Sequence, residues 1–341
     1  MKRAMIHIGS GKTGTTSIQN SAAQIEKDGL YPNLKYPLVT KSGHQSLEIL
    51  FKEYGRISRG LKTKFENGGD YRSFKKDFEH DFSKSVLSAT NLLLSSEFMF
   101  EFKVEEMLRL KKYLGNRGFE NFLIVVYLRD PASFYLSYTQ QKLKGSSKAY
   151  SPFKFQTGYK KHLERWASVF GKKNIIVREY DKASLHKGSV LKDIETLINH
   201  FFEISVSLPE VSSNRSLTAE GMAILQKFRN DYLQEHENRF TAESDILIQR
   251  LSSEKLAEYG SAPRLKKAYE NVLRNNNSDD MLYLQENFGI FKYLTVNVDN
   301  LPDASEYTGS VVDFLVDFDP DMYLKLLFDL VYEGVKVEIK S

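Results

Sequence analysis

The sequence predicts an α/β protein, with a parallel β-sheet flanked by helices on both faces and a mostly helical C-terminal region. Three observations carry this. Short, continuous apolar runs such as AMIHI, NLLLS and FLIVVYL have the length of strands buried on both faces. Segments with helical spacing of apolar residues alternate with them, the pattern that builds a parallel sheet. Polar residues cluster just past the predicted strand ends (Lys12 to Thr16, Ser95 to Glu97, and Arg129), where ligands of such sheets collect.

The elements follow in order. AMIHIG is a short strand ending in glycine. GKTGTTSIQNSAAQIEKDG opens a helix with Ile18, Ala22 and Ile25 near helical spacing and Gly29 as its stop. ATNLLLSSE is a strand at 89–97, and KVEEMLRLKKYLGNRG a helix at 103–118. FLIVVYLRDP is a strand stopped by Pro131, and ASFYLSYTQQKL the helix after it. KKHLERWASVFG is a helix closed by Gly171, NIIVREY a strand, and SVLKDIETLINHFF a helix.

Beyond about residue 205 strands thin out. SLTAEGMAILQKFRNDYLQ reads as a capped helix, and 240–285 as helical and heavily charged. NNNSDD at 275–280 reads as a loop, and KTKFENGGDYRS near 62–73 as a mobile one. The last segment, from VVDFLVDF onward, is apolar enough to pack back on the core. The expected organisation is an α/β core at 1–205 and a helical extension at 206–341 packed on it, in one continuous domain.

Composition narrows the function. With 341 residues, 48 basic and 44 acidic, the net charge of +4 is too mild to make nucleic acid the main partner. The absence of cysteine excludes a disulfide scaffold, a thiolate metal site and a cysteine nucleophile. The seven histidines show no metal-ligand spacing. No signal peptide or apolar run of membrane-spanning length is visible, so a cytoplasmic location is expected.

The stretch GSGKTGTT nearly spells a nucleotide-binding P-loop, G-x-x-x-x-G-K followed by Ser or Thr. If Gly9 opens the pattern, Gly14 and Thr16 fit, but Thr15 fills the lysine slot and the cation has moved forward to Lys12. The loop keeps a phosphate cradle of backbone N–H groups at a helix N-terminus and re-aims its cation. Losing the lysine after the second glycine argues against ATP hydrolysis.

IHIGSGKTGTTSIQ resembles the 5′-phosphosulfate loop of the sulfotransferases that use PAPS (3′-phosphoadenosine-5′-phosphosulfate), whose signature is Lys-Ser/Thr-Gly-Thr-Thr after the first strand. The resemblance implies that Lys12 contacts the 5′-phosphate and the oxygen bridging to sulfur. Gly11, Thr13, Gly14, Thr15 and Thr16 would then hold that phosphate through backbone and hydroxyl donors. YLRDPASFYLSYTQQK is similar to the family's Arg-x-Pro element with a serine eight residues on, implying that Arg129 and Ser137 clamp the 3′-phosphate. Many relatives carry a further arginine where this chain has Phe134.

ERWASVFGKKNIIVREYD, SNRSLTAEGMAILQKFRN and LLLSSEFMF resemble segments of the bacterial, carbohydrate sulfotransferase-like branch. The resemblance covers roughly residues 1–290. It implies PAPS as donor, 3′,5′-ADP as product, no metal, and a hydroxyl or amine acceptor on a carbohydrate or glycolipid.

The general base has two candidates. Glu97 ends an apolar strand, where a carboxylate has little structural reason to be; the alternative is an acid favoured by a helix N-terminus. His44, in KSGHQSL, titrates in a useful range, or is a capping or surface histidine. His7, inside the first strand, reads as a buried, hydrogen-bonded residue. Asn214, Arg215 and Ser216 read either as contacts to the adenosine or its 3′-phosphate, or as the cap of the next helix. The basic segment KLKGSSKAYSPFK at 142–154 is either a solvated loop or the receiver of an anionic acceptor such as a glycan. The rival readings are a P-loop kinase or NTPase, with Asp130 in LRD mimicking the magnesium-holding acid, and a catalytically silent nucleotide binder.

Overall fold

The computed structural model describes residues 1–39, 43–66, 69–210, 216–253, 260–295, 297, 301–316 and 318–340. In chain order the elements are β1 (Lys2–His7), α1 (Thr15–Lys27), β2 (Leu34–Lys35), α2 (Leu47–Phe51), α3 (Arg59–Glu66), α4 (Tyr71–Leu87), β3 (Asn91–Ser95), α5 (Val104–Gly115), β4 (Phe119–Leu128) and α6 (Pro131–Leu143). Then come α7 (Tyr159–Phe170), β5 (Ile175–Glu179), α8 (Val190–Phe202), α9 (Ala219–Tyr232), α10 (Ala242–Leu251), β6 (Arg264–Leu265), α11 (Lys267–Asn276), α12 (Ser278–Phe288), β7 (Leu315–Val316) and α13 (Pro320–Lys340). Contacts divide the chain into two compact units, one of Met1–Arg129, Gly158–Ser213 and Tyr283–Phe291, the other of Asp130–Thr157, Asn214–Leu282 and Lys292–Ser341.

The first unit is the α/β layer structure. Its five strands are all parallel in the order β2-β3-β1-β4-β5, so β1 is central, with His7 level with Ser95 of β3 and Val125 of β4. Side chains alternate between faces. Met5, Leu93, Val125 and Tyr127 join a buried cluster with Ile18 and Ala22 of α1 and Ile194 and Ile198 of α8. The alternate residues Ala4, Ile6, Leu92, Leu94, Ile124 and Val126 are equally buried, with α5 packed on β4 and α7 on β5. Full burial of each of the larger side chains contributes about 1.5–3 kcal/mol, which is why these strands read as unbroken apolar runs.

The second unit is helical apart from the antiparallel pair β6–β7. Its core joins Tyr135 and Leu143 of α6, Met222 and Leu225 of α9, Leu273 of α11, Phe314 and Leu326. The C-terminal segment thus buries apolar residues within this unit. No helix among the described residues is long and apolar enough to cross a membrane.

Two expected loops are corrected. Most of 62–73 is helical: α3 runs to Glu66 and α4 starts at Tyr71, with the Asp70 carboxylate accepting from the N–H groups of Arg72 and Ser73; 67–68 lie outside the described residues. NNNSDD is a single-residue break at Asn277 between α11 and α12. The buried Asn277 side chain donates to the carbonyls of Phe155 and Leu273 and accepts from the Thr157 N–H, at 2.6 Å for the last. A polar side chain standing in for backbone partners is why a run of loop formers needs no loop.

Candidate functional site

The candidate site lies at the carboxyl ends of β1, β3 and β4 in the first unit. Beyond β1, the loop Gly9–Gly14 returns the chain into α1. The Gly9 carbonyl accepts from Tyr127 N–H at 3.0 Å, and Ser10 N–H donates to Tyr127 O, which knits the loop to β4. Gly9 has φ +94°, and a Cβ there would stand 2.8 Å from Glu97 Cα. Gly14, at φ +74°, is the N-cap of α1 and its missing Cβ clears Val190 and Tyr180. Both glycines are therefore required by backbone conformation and by close approach. No Cβ clash confines Gly11 among the described residues.

Lys12 is exposed and sits in the left-handed region at φ +64°. Its carbonyl accepts from Arg129 Nε at 2.6 Å. The Arg129 guanidinium lies over the Tyr180 ring, 4.5 Å from its centroid, and the Arg129 carbonyl accepts from Tyr159 Oη at 3.1 Å. The structure thus joins Lys12, Gly14, Arg129 and Tyr180 into one contiguous group at the loop.

The threonines divide by direction. Thr13 and Thr15 are buried, and both hydroxyls donate to the Ser10 carbonyl, at 2.6 and 3.2 Å. They brace the loop from within, so both hydroxyl protons are already engaged by the Ser10 carbonyl. Thr16 is exposed on the first turn of α1, where N–H groups have no intrahelical acceptor and the helix dipole favours negative charge.

Glu97 opens a 3₁₀ turn two residues past β3 and is half-buried. Its Oε2 accepts from Gln19 Nε2 at 3.1 Å, and the same amide donates to Ser95 O at 3.3 Å. Gln19 belongs to the buried stripe of α1, and a Cβ at Gly43 would stand 2.5 Å from its Oε1. The neighbouring buried ion pair Lys52–Glu48 (2.6 Å) touches the same turn, with Lys52 Nζ 3.4 Å from Phe98 O.

His44 is buried with both ring nitrogens engaged. Nδ1 accepts from Ser95 N–H at 3.0 Å and Nε2 pairs with the Pro37 carbonyl at 2.8 Å, which fixes the Nε2–H tautomer. Burial pulls its pKa down to about 4 against the opposing pull of the Pro37 carbonyl. His7 Nδ1 meets Ser95 Oγ at 2.8 Å, and burial takes its pKa to about 3. Ser95 is therefore held at its N–H, its carbonyl and its hydroxyl by His44, Gln19 and His7. The Tyr36 ring lies 4.3 Å from His44, and its phenol pKa is raised by burial and by the charge of Glu97.

The remaining described candidates belong to the second unit. Ser137 is half-buried on α6 of the second unit. Ser216 is exposed in that unit; the cap of α9 is Thr218, whose Oγ1 accepts from Gly221 N–H at 3.0 Å. Asn214 and Arg215 lie outside the described residues. Asp130 serves structure: it caps α6 by accepting from Ser133 N–H and pairs with Arg274 at 2.9 Å. Sequence reasoning passed over Gln19, Tyr180 and Gly43. The signal for Gln19 was an amide three and four residues before Ala22 and Ala23, on the apolar face of the predicted helix.

No family model matches the chain, and no curated protein does. Among solved structures, a sulfotransferase from Alicyclobacillus acidocaldarius is similar at 13% identity, covering 72% of this chain and 99% of that one, with a TM-score of 0.36.

Proposed function

We propose that this chain is a sulfotransferase that moves a sulfuryl group from PAPS to a hydroxyl or amine on a carbohydrate or glycolipid, releasing 3′,5′-ADP. The observation that carries the reading is the placement of Lys12. Lys12 is exposed on the loop's first half, its peptide fixed by the Arg129 hydrogen bond. Thr15, in the slot a nucleotide hydrolase gives to lysine, turns its hydroxyl inward to Ser10 O. Asp130 is tied to Arg274 and Ser133, which counts against a magnesium-holding role.

In this reading the loop N–H groups and Thr16 hold the 5′-phosphate, and Arg129 directs guanidinium donors beyond the Lys12 carbonyl toward the 3′-phosphate. Glu97, oriented by Gln19, takes the acceptor proton. The acceptor oxygen or nitrogen forms a bond to sulfur while the bond from sulfur to the bridging oxygen breaks. The electron pair stays on the 5′-phosphate, where Lys12 stabilises the growing charge, an electrostatic contribution of the largest kind in catalysis. His44 is given a positioning part, because both its nitrogens brace the backbone before Glu97. The roles of Ser137, Asn214, Arg215 and Ser216 stand as the resemblance implied them.

Thermal-shift measurements test the proposal, since a ligand that binds the native state raises the melting midpoint. Stabilisation by 3′,5′-ADP without magnesium is expected. Stabilisation by ATP with magnesium alone would transfer the loop to phosphoryl chemistry. Binding of 3′,5′-ADP with no sulfuryl transfer to any acceptor in a glycan panel would leave a silent nucleotide binder.

A further inference from the structure

We infer that the second unit carries a binding groove for an acidic oligosaccharide, bearing carboxylate or sulfate groups, between the 147–149 loop, α9 and the stretches 308–312 and 318–323. The groove encloses about 710 Å³ and lies wholly within that unit. This is the size of a small-molecule site.

Its walls are built to hold their shape. Gln226 of α9 donates to Ser147 O at 3.0 Å and to Gly309 O at 2.8 Å, and accepts from Val311 N–H at 2.9 Å, so one amide stitches two walls together. Beneath the first wall, the fully buried Arg229 donates to Gly145 O at 2.8 Å, and Glu237 accepts from Ser147 N–H at 3.0 Å. A groove held in this way loses little freedom when it binds.

The lining chemistry then selects the ligand. Lys148 and Lys227 bring ammonium groups from separate elements, and among the described residues none that lines the groove is acidic; Lys227 has Asp231 as its salt-bridge partner on α9, and Asp317 lies outside the described residues. Of the lysines in the basic segment singled out in the sequence, Lys148 lines the groove, while Lys142 hydrogen-bonds Asn238. Phe318 and Tyr323, with ring centroids 5.6 Å apart, offer apolar faces to the C–H face of a sugar. Asn230, Thr308 and Ser310 add neutral donors and acceptors for hydroxyls. Cations, aromatic faces and neutral polar groups in one open groove suit an acidic sugar chain better than an apolar ligand or a peptide of mixed charge.

The inference does not depend on sulfuryl transfer. Its test is calorimetric titration of the full chain with a hyaluronan hexasaccharide (carboxylate only), a heparin hexasaccharide (sulfate and carboxylate) and neutral maltohexaose. Either acidic sugar is expected to bind at least about tenfold more tightly than the neutral one, and the stronger arm identifies the preferred anion. Lys148→Glu with Lys227→Glu is expected to weaken acidic-sugar binding at least about tenfold while 3′,5′-ADP binding is unchanged. Asn230→Ala, at an exposed position, is expected to weaken both sugar classes. Equal affinity for maltohexaose, full affinity in the double lysine variant, or no binding of either acidic sugar at millimolar concentration would each overturn the inference. Loss of 3′,5′-ADP binding by the unaltered chain would count against the enzyme reading alone.

Discussion

The glycine loop after β1 and the 144–149 loop of the second unit are both fixed, by opposite means. The first is held by backbone freedom: two glycines at positive φ, and threonine hydroxyls folded back on the Ser10 carbonyl. The second is held by charged side chains, with Arg229 donating to the carbonyls of Lys144, Gly145, His236 and Arg239, and Glu237 accepting from Ser146 and Ser147. A loop held by small groups keeps its shape without engaging the threonine side chains beyond the loop itself. A loop held by buried charge is a rigid wall whose contribution to binding comes from the side chain at its end. Substitutions beneath the second loop therefore act on stability, and those on the first act on ligand and rate.

The largest effect is expected from Arg229→Met. Several buried carbonyls lose their donor at once and Glu237 loses a nearby positive charge, at a cost of about 3–5 kcal/mol, read as a fall in the urea midpoint. A loss below about 1 kcal/mol would mean that the guanidinium is not what fixes that loop. Lys12→Ala is the opposite case. Folding stability is expected within about 0.5 kcal/mol of the unaltered chain, while sulfuryl transfer falls roughly 10²–10³-fold. A variant that melted early instead would make Lys12 a structural residue.

The pH response sharpens the comparison within the first unit. His44 is held neutral, with its pKa lowered to about 4 from 6.5, so the unfolded chain binds the proton more readily than the folded one. The stability this provides is complete above about pH 6.5 and is lost as pH falls toward 4, by a few kcal/mol in all. His44→Gln is expected to reduce that slope in urea titrations between these pH values, with buried His7 supplying the rest, and an unchanged slope would place the acid sensitivity elsewhere. The smallest effect is expected from Gln19→Leu: kcat falls about tenfold through misorientation of Glu97, with 3′,5′-ADP affinity unchanged. A rise in KM for PAPS with unchanged kcat would remove Gln19 from the positioning of the base.

The parallel sheet was legible because its strands are buried on both faces and so leave continuous apolar runs, as in Leu92–Leu94 and Ile124–Leu128. The glycine turn after β1 was legible because Gly9 and Gly14 mark positions of positive φ where a Cβ would collide. Side-chain direction was not. Nothing in the spacing of KTGTT says that the Thr13 and Thr15 hydroxyls turn inward, or that both nitrogens of His44 are taken by backbone groups. Nor does NNNSDD announce that Asn277 replaces a loop with its own amide. Two-residue strands such as β2 and β6 are too short to leave any periodicity.

The most direct test of the central claim is calorimetric titration of 3′,5′-ADP, without magnesium, into the unaltered chain and into Lys12→Ala. The account expects binding by the former and at least about tenfold weaker binding by the latter. Equal affinity in the two, or binding of ATP only and only with magnesium, would contradict it.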